Sequence, residues 1–317
     1  CPKLLTEVQS ENLITYSEDF SDSSWTKSNS SVTSGFSSPN GDLSAYKFTF
    51  DGTTNGRVEK IVSVVNGVKY SFSVWLKNDD LADPTQVWLG FATSNQGEYV
   101  TVTNEWKRFT TTQVTNGTSE YPRVRTDEVG SIFAWGAQIE EQPYATSYIP
   151  TNVSPQQRGA DSVTNAGDIS VFEQVNGLLF VDYRQESEQN SLCTLRLEKD
   201  SSNYLDVGIN SSNQAYCSIT NGGSVVGSQT FDLDSTLQNR LAILYQSNAS
   251  ALYVNGLKIA DLGGLISGDF AELKLNNLQG LTKSIQNWSD VENVDIETIV
   301  GYQSYADMSG QFNFNTL

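Results

Sequence analysis

The chain has 317 residues, which is enough for two domains of about 150 residues, each with its own core. Its 19 basic and 37 acidic residues give a formal charge of −18 at pH 7, which disfavours binding to nucleic-acid phosphates and to anionic membrane surfaces. No apolar run reaches the roughly 18 residues that a membrane-spanning helix needs. We therefore expect no nucleic-acid partner and no insertion into a membrane.

Alternating apolar and polar residues recur through the first half of the chain. In AYKFTF, Tyr46, Phe48 and Phe50 share one face, and YSFSVWLK repeats the pattern. Similar stretches are VWLGFA, YVTVT, KRFTTTQV and SIFAWGAQI, with clusters of Asn, Gly, Asp and Pro between them. Evenly spaced short strands are typical of a jelly roll or another β-sandwich. They predict an all-β, jelly-roll first domain over residues 1–150.

The last strand of this domain lies in FAWGAQIEEQPYATSYIPTN, where alternation predicts one face for Phe133, Trp135, Ala137 and Ile139. Pro143 cannot donate to a strand ladder, so the strand should end before it. The residues that follow contain few large apolar side chains and include Pro155. We predict an interdomain connector over residues 151–164.

A second series of strands follows the connector, in GLLFVDYR, CTLRLEK, YLDVGIN, AYCSIT and NRLAILYQ. Asn255 and Gly256 separate two apolar runs, and both residues tolerate the positive φ of a type I′ hairpin turn. VDIETIVGYQ predicts a final strand, with a short irregular or helical tail after it. The second β-sandwich therefore spans residues 165–317.

Two cysteines, Cys193 and Cys217, alternate with apolar residues in predicted strands. This position favours two buried free thiols over a disulfide.

Two stretches at the ends of the first domain carry a family resemblance. LLTEVQSENLITYSEDFSDSSWTKS and FAWGAQIEEQPYATSYIPT resemble the paired signature of a domain in fibre, spike and appendage proteins of tailed bacteriophages. That domain is related in architecture to jelly-roll carbohydrate-binding modules, and the resemblance covers roughly residues 3–163. RLAILYQSNASALYVNGLKIA resembles the core hairpin of laminin-G-like or concanavalin-like sandwiches, which often follow that first domain. The resemblance implies a protein displayed on the virion.

Catalysis finds little support in the sequence. The chain has no histidine, which excludes Ser-His-Asp and Cys-His arrangements and the usual zinc sites. A glycosidase needs only two carboxylates, and Asp295 and Glu297 share a face of the predicted last strand while Glu292 falls on the other. This pattern departs at its first acid from that of concanavalin-like glycanases. We predict that the protein is not an enzyme.

Two tryptophans on polar strand faces indicate a glycan-binding surface, because a wide aromatic ring on such a face can stack against a sugar. Charged and amide side chains of the same and a neighbouring strand would add hydrogen bonds. The candidate residues are Trp75, Lys77, Gln86, Trp88, Tyr121, Arg123 and Arg125. Alternatively, Trp75 and Trp88 cover a second sheet or a neighbouring subunit, since both faces of a sandwich strand can be buried. Trp106 and Trp135 are predicted core residues.

Jelly-roll modules often hold a structural calcium through carboxylates and carbonyl oxygens. Acids near the two ends of the first domain would be its ligands, and apart from this possible calcium we predict no cofactor. The candidates are Glu18, Asp19, Glu140 and Glu141.

Three classes of function stay open at this point. The first is a virion appendage, a tail fibre or a head fibre or spike, that attaches to host-surface glycans, contacts other virion proteins and self-associates as a homotrimer on the extracellular virion surface. The second is a free secreted carbohydrate-binding protein, and the third is a sandwich-fold glycoside hydrolase.

Overall fold

The computed structural model describes residues 4–79, 86–166, 177–188, 191–246, 250–263, 270–289 and 296–301. Two compact units are present: the first unit is Gln9–Gly159, and the second unit joins Cys1–Val8 to Ala160–Leu317. No helix in the described ranges is long and apolar enough to cross a membrane.

In chain order, the strands up to the end of the first unit are β1 (Leu4–Thr6), β2 (Ser10–Asn12), β3 (Trp25–Ser28), β4 (Ser30–Phe36), β5 (Ala45–Asp51), β6 (Gly56–Lys60), β7 (Val62–Ser63), β8 (Lys69–Asn78), β9 (Gln86–Phe91), β10 (Gln96–Thr101), β11 (Lys107–Val114), β12 (Ser119–Glu120), β13 (Pro122–Thr126), β14 (Val129–Glu140) and β15 (Gln156–Arg158). The remaining elements are β16 (Val163–Ala166), β17 (Gly177–Arg184), β18 (Cys193–Asp200), β19 (Asn203–Ile209), β20 (Ala215–Asn221), β21 (Ser224–Phe231), β22 (Asn239–Tyr245), β23 (Ala251–Val254), β24 (Leu257–Asp261), β25 (Glu272–Asn276), β26 (Gly280–Ser289) and α1 (Ile296–Gly301).

The first unit is a jelly roll made of two five-stranded antiparallel sheets. The β9 sheet has the order β10-β9-β13-β6-β3, and the β8 sheet has the order β11-β8-β14-β5-β4. Strands early in the chain order of this unit pair with late ones, and the pairs approach the middle of the order step by step: β5 pairs with β14, β6 with β13, β8 with β11 and β9 with β10. Successive pairs alternate between the two sheets, which is how a rolled-up hairpin forms this fold.

Side-chain alternation fills the space between these sheets. Tyr70, Phe72, Val74 and Leu76 of β8 point inward and are buried, together with apolar residues of β5, β9 and β14. Burying these side chains is the main favourable term for the unit, and it leaves the intervening polar residues on the outer faces.

The second unit is a sandwich of two six-stranded sheets, with the orders β1-β26-β17-β22-β23-β24 and β16-β25-β18-β19-β20-β21. Its core cluster draws residues from both sheets, for example Leu179 and Ile243 from one and Leu195 and Val207 from the other. The predicted hairpin turn is present, with φ of 50° at Asn255 and 90° at Gly256. The predicted all-β class with two tandem sandwiches is thereby confirmed.

The division of the chain differs from the boundaries expected from the sequence. Leu4–Thr6 pairs with β26, and the backbone N–H of Asp161 donates to the carbonyl of Glu7 at 2.9 Å, so the first residues complete the second unit. Inside the expected connector 151–164, Gln156–Arg158 pairs with Ser10–Asn12, and Val163 begins a strand that pairs with β25. The backbone groups of an edge strand can pair with a segment far away in the chain. The alternation of apolar and polar residues does not show which segment that is.

The prediction of a strand in IETIVG is wrong, because Ile296–Gly301 forms a helix. Its β-branched residues favour a strand locally. Ile296 and Val300 are four residues apart, so they share one helix face, and both are buried in a cluster with Phe180 and Trp288 on the outer side of the β17 sheet. Tertiary packing has overridden local propensity here.

Candidate glycan-binding face

The outer face of the β9 sheet carries the strongest candidate site. Val87, Leu89 and Phe91 of β9 are fully buried in the core, so the alternate residues Gln86, Trp88 and Gly90 point outward. The other strands of this sheet follow the same rule.

The strand register arranges the outward residues in two adjacent rows. In the first row, Trp88 lies across from Tyr99 on one side and from Arg125 on the other, and Arg125 lies across from Arg57. A second row runs Gly97, Gly90, Arg123 and Glu59. We call these outward residues together the Trp88 face. It has an aromatic half on β9 and β10 and a cationic half on β13 and β6.

Two facing glycines support the indole of Trp88. A Cβ atom at Gly90 would lie 2.6 Å from Cη2 of Trp88, and one at Gly97 would lie 2.5 Å from Cζ2. The ring therefore occupies the space that side chains would fill at these two positions. Trp88 is half-buried, and the neighbouring Tyr99 is 60% exposed. The result is a pair of aromatic side chains lying on the sheet surface and open to solvent.

Ion pairs organise the cationic half. Glu59, only 5% exposed, accepts from Nε of Arg57 at 2.9 Å and lies 2.6 Å from Nη2 of Arg123. Burial lowers the pKa of Arg123, an effect that Glu59 opposes and the neighbouring charges of Arg57 and Arg125 reinforce. The Arg125 guanidinium carbon lies 5.8 Å from the centre of the Trp88 ring. A planar cation thus borders the aromatic half directly.

A buried carboxylate holds the turn between β9 and β10. Glu120 is fully buried and accepts hydrogen bonds from the backbone N–H groups of Thr93 and Ser94, both at 3.0 Å. The carbonyl of Tyr121 accepts from the N–H of Ala92 at 3.2 Å, which places Tyr121 beside the same turn. These bonds fix the hairpin that carries Trp88 and Tyr99.

Trp75 and Lys77 are not part of this face. They lie on β8, in the opposite sheet of the sandwich, and point away from the core. The structure therefore brings together Gln86, Trp88, Tyr121, Arg123 and Arg125 from the predicted set, and it places these two residues on the other side of the unit. Trp75 is half-buried, and a Cβ at Gly136 would lie 3.3 Å from both Trp75 and Tyr148.

The outer face of the β8 sheet is covered by the chain that follows β14. The hydroxyl of Ser71 donates to the carbonyl of Tyr144 at 2.9 Å, and Arg108 donates to the carbonyl of Thr146 at 2.5 Å. Gln138 accepts from the N–H of Ile149 at 2.7 Å. The segment 142–149 thus turns after Pro143 and folds back over its own sheet.

A bulge interrupts β14, so the alternation predicted for this strand is wrong at Trp135. The register shifts between Trp135 and Gln138, and Gly136 has φ of 64°, a conformation that suits glycine. Ala137 and Ile139 face the core as predicted. Trp135 is buried on the opposite side, against Tyr148 and outside the core cluster. Trp106 is half-buried near Phe133.

Three of the four predicted calcium ligands accept hydrogen bonds from protein side chains. Asp19 accepts from the Tyr46 hydroxyl at 2.7 Å, and hydrogen bonds from Ser21 and Tyr46 lower its pKa. Glu140 is fully buried and accepts from Ser10 at 2.7 Å, while Glu141 accepts from Tyr70 at 2.9 Å.

Glu18 lines a cavity of about 530 Å³ whose other walls include Tyr16, Asp19 and Asn152, and burial raises its pKa. Within the described ranges, no three Asp, Glu or Cys side chains form a group that could hold a metal ion.

Of the three acids considered for catalysis, only Glu297 lies among the described residues. Glu292 and Asp295 lie outside the described residues, and Glu297 lies in α1 rather than in a strand.

Sequence reasoning missed one glycine of the Trp88 face, Gly97, and three of its larger side chains: Tyr99, Arg57 and Glu59. The signal was present for the last two, because GRVEK alternates Arg57 and Glu59 around the buried Val58. Only the pairing of β6 with β13 shows that they lie beside Arg123 and Arg125.

Comparison with protein-family models and with curated protein sequences finds no match. Among solved structures, the chain is similar to domain 4 of an extracellular GH43 arabinanase from Geobacillus stearothermophilus in complex with arabinotriose, with 14% identity, a TM-score of 0.35, and coverage of 51% of this chain and 84% of that one. It is similar to a CBM22 tandem domain from Paenibacillus barcinonensis, with 11% identity, a TM-score of 0.34, and coverage of 92% and 100%. It is also similar to a tail fiber protein of an E. coli phage, with 10% identity, a TM-score of 0.23, and coverage of 89% and 40%. At such low identities and scores, what these proteins bind is a property of those proteins alone.

Proposed function

We propose that the protein binds glycans through the Trp88 face and performs no reaction on them. One observation carries this proposal: the indole of Trp88 lies over the Gly90–Gly97 pair, beside the exposed ring of Tyr99. A pyranose has an apolar face of C–H groups that stacks on such rings, and water is displaced from both surfaces. Glycine at both supporting positions leaves room for the indole against the sheet.

Polar groups around the rings would fix the orientation of the sugar. Gln86 is exposed on the same face and offers an amide, while Arg125 and Arg123 offer guanidinium N–H groups. A few directional hydrogen bonds around an apolar platform are typical of small-ligand sites.

The wider role that we propose is attachment of a tailed-bacteriophage appendage, a tail fibre or a head fibre or spike, to glycans on the host surface. The resemblance of residues 3–163 to a domain of such appendages supports it. The protein would self-associate as a homotrimer on the extracellular virion surface, in contact with other virion proteins. Such an assembly would compensate for a low affinity of each single glycan site. Each further contact becomes intramolecular, so the apparent affinity rises.

The test of glycan binding compares two tryptophan variants on a glycan array, followed by titration calorimetry with the best ligand. Trp88→Ala should weaken binding by the folded protein roughly tenfold or more, the effect of losing a large aromatic anchor. Trp75→Ala is the matched control, since the same residue type is removed from the opposite sheet. It should leave the affinity of folded protein unchanged and lower the free energy of unfolding by about 2 kcal/mol or more. Equal affinity losses in both variants, or no glycan binding at all, would refute the proposed face.

The virion role needs a separate measurement. Mass spectrometry of purified phage particles should detect the protein in stoichiometric amounts, and light scattering should report a trimer. If the protein is monomeric and absent from the particles but still binds glycans through Trp88, it is a free carbohydrate-binding protein instead.

A further inference from the structure

The cationic half of the Trp88 face has more positive charge than its own acid neutralises. Arg57, Arg123 and Arg125 are three of the chain's eight arginines, and they lie side by side in a chain of net charge −18. Glu59 pairs with two of them, Arg57 and Arg123. Neighbouring like charges raise the energy of the folded state unless an anion compensates them.

Guanidinium donors on this face remain without a protein acceptor. The buried Nε atoms of Arg123 and Arg125 have no hydrogen-bond partner in the part of the chain that the structure describes. Nη2 of Arg125 lies 3.6 Å from the nearest oxygen of Asp127, whose side chain is 48% exposed. An ion pair that long and that exposed contributes little. A buried Nε is closed to a ligand, so the donor capacity of Arg125 that a ligand can use lies in the terminal Nη groups of its side chain, which is 29% exposed.

The position of Arg125 links this capacity to the sugar platform. It lies directly across the ladder from Trp88, with its guanidinium carbon 5.8 Å from the ring centre. A substituent at the rim of a sugar stacked on Trp88 would reach the guanidinium. A carboxylate matches the planar fork of arginine in two parallel hydrogen bonds, which neutral hydroxyls cannot do.

We infer that the Trp88 face is selective for acidic glycans, and specifically for sugars that bear a carboxylate, such as uronic acids. This inference rests on the proposed glycan-binding function and adds the class of ligand to it. Aromatic stacking holds the ring, and Arg125, flanked by Arg57 and Arg123, binds the acid. The net negative charge of the rest of the chain disfavours acidic ligands elsewhere, which increases the contrast with this face.

The test uses the full-length chain and pairs of polysaccharides with one backbone: polygalacturonate, alginate and hyaluronan, each beside its carboxyl-reduced neutral form. Biolayer interferometry should show that reduction of the carboxyl groups weakens binding of at least one of them roughly ten- to a hundredfold, the range expected for a charge-assisted hydrogen-bonded pair. High salt should weaken binding of the acidic forms only. Dextran sulfate beside dextran tests whether any anionic group suffices.

Variants separate this inference from the proposed function. Arg125→Gln should abolish the preference for the acidic form and retain weak binding of both forms, whereas Trp88→Ala should weaken both. Arg184→Gln, which removes a half-exposed arginine from the second unit, is the charge-matched control and should behave like the parent. Equal binding of acidic and neutral forms by the parent protein would overturn acid selectivity and leave the glycan site standing. Stronger binding of dextran sulfate than of every carboxylated polymer would replace carboxylate selectivity by general anion binding. No binding to any glycan, neutral or acidic, would overturn both.

Discussion

The rings of Trp135 and Tyr148 lie with their centroids 4.7 Å apart on the outer side of the β8 sheet. The hydroxyl of Tyr148 is 2.7 Å from that of Ser17, and the indole N–H of Trp135 donates to the hydroxyl of Ser44 at 2.7 Å. Through these contacts, the proline-flanked segment after β14 closes one face of the first unit. The outer face of the β8 sheet, which carries Trp75 and Trp135, is therefore covered. The Trp88 face on the other sheet keeps an exposed aromatic ring, that of Tyr99.

This relationship predicts that Tyr148→Ala destabilises the first unit. Loss of the ring contact and of the half-buried side chain should lower the free energy of unfolding by about 2 kcal/mol. Tyr148→Phe removes only the hydroxyl and should cost about 1 kcal/mol. Tyr99→Ala is the matched control, because its exposed ring should contribute less than about 0.5 kcal/mol. Urea denaturation followed by tryptophan fluorescence measures all three, and equal effects of Tyr148→Ala and Tyr99→Ala would contradict the packing described.

A second prediction concerns the N-terminal strand. Deleting residues 4–8 should lower the melting temperature of the second unit and spare the first, because Leu4–Thr6 pairs with β26 and Thr6 hydrogen-bonds the carbonyl of Leu278. Differential scanning calorimetry measures both transitions, and the isolated segment Gln9–Gly159 identifies the one that belongs to the first unit. A drop confined to that first-unit transition would show that the strand belongs elsewhere.

The buried thiols give a third prediction. Cys193 and Cys217 are fully buried and free, and burial raises the pKa of both, that of Cys217 to about 12. The thiolate is the reactive form, so neither should react with a thiol reagent in the folded protein at pH 8. In a Cys1→Ser variant, Ellman's reagent should label no thiol until denaturant is added, and then two. Rapid labelling of the native variant would show that one of the two strands opens readily.

Lys60 provides a prediction about pH. Its side chain is 4% exposed, donates to Ser24 at 2.5 Å and lies 5.3 Å from the rings of Tyr16 and Trp25. Burial lowers its pKa from 10.5 to about 8, an effect that Lys27 reinforces and that Asp22 and Asp19 partly offset. Below pH 8 the folded and unfolded states both carry the proton, so the cost of burying the charge is fully present.

Between about pH 8 and 10.5 only the unfolded state keeps that proton, so the stability of the first unit should rise with pH in this window. Other titrating groups also change the free energy of unfolding with pH, but they do so in both the parent and Lys60→Met. The difference between the two proteins therefore isolates the contribution of Lys60. The rise from pH 7.5 to 9.5, measured by urea denaturation, should be smaller in Lys60→Met. Identical pH profiles would mean that Lys60 is as solvated as a surface lysine.

Much of the fold was predictable because alternation is a local property. The stretches around Tyr46, Phe72 and Leu195 are strands with the predicted inward faces, and Asn255-Gly256 forms the predicted turn, since both residues accept positive φ. The same alternation placed Trp88, Arg123 and Arg125 on outward positions before any sheet was known.

What the sequence by itself determined was which side of its own strand a residue occupies, wherever no bulge interrupts the alternation. Only the tertiary structure decided which strands are neighbours, because hydrogen-bonded pairing joins segments far apart in the chain: β9 to β13, β13 to β6, and β1 to β26. For this reason Trp75 and Trp88, alike in sequence context, lie on opposite sheets: Trp75 in the sheet that the segment after Pro143 covers, and Trp88 beside three arginines. The helix at Ile296 also depends on tertiary structure, since packing of Ile296 and Val300 against Phe180 and Trp288 overrode the local preference for a strand.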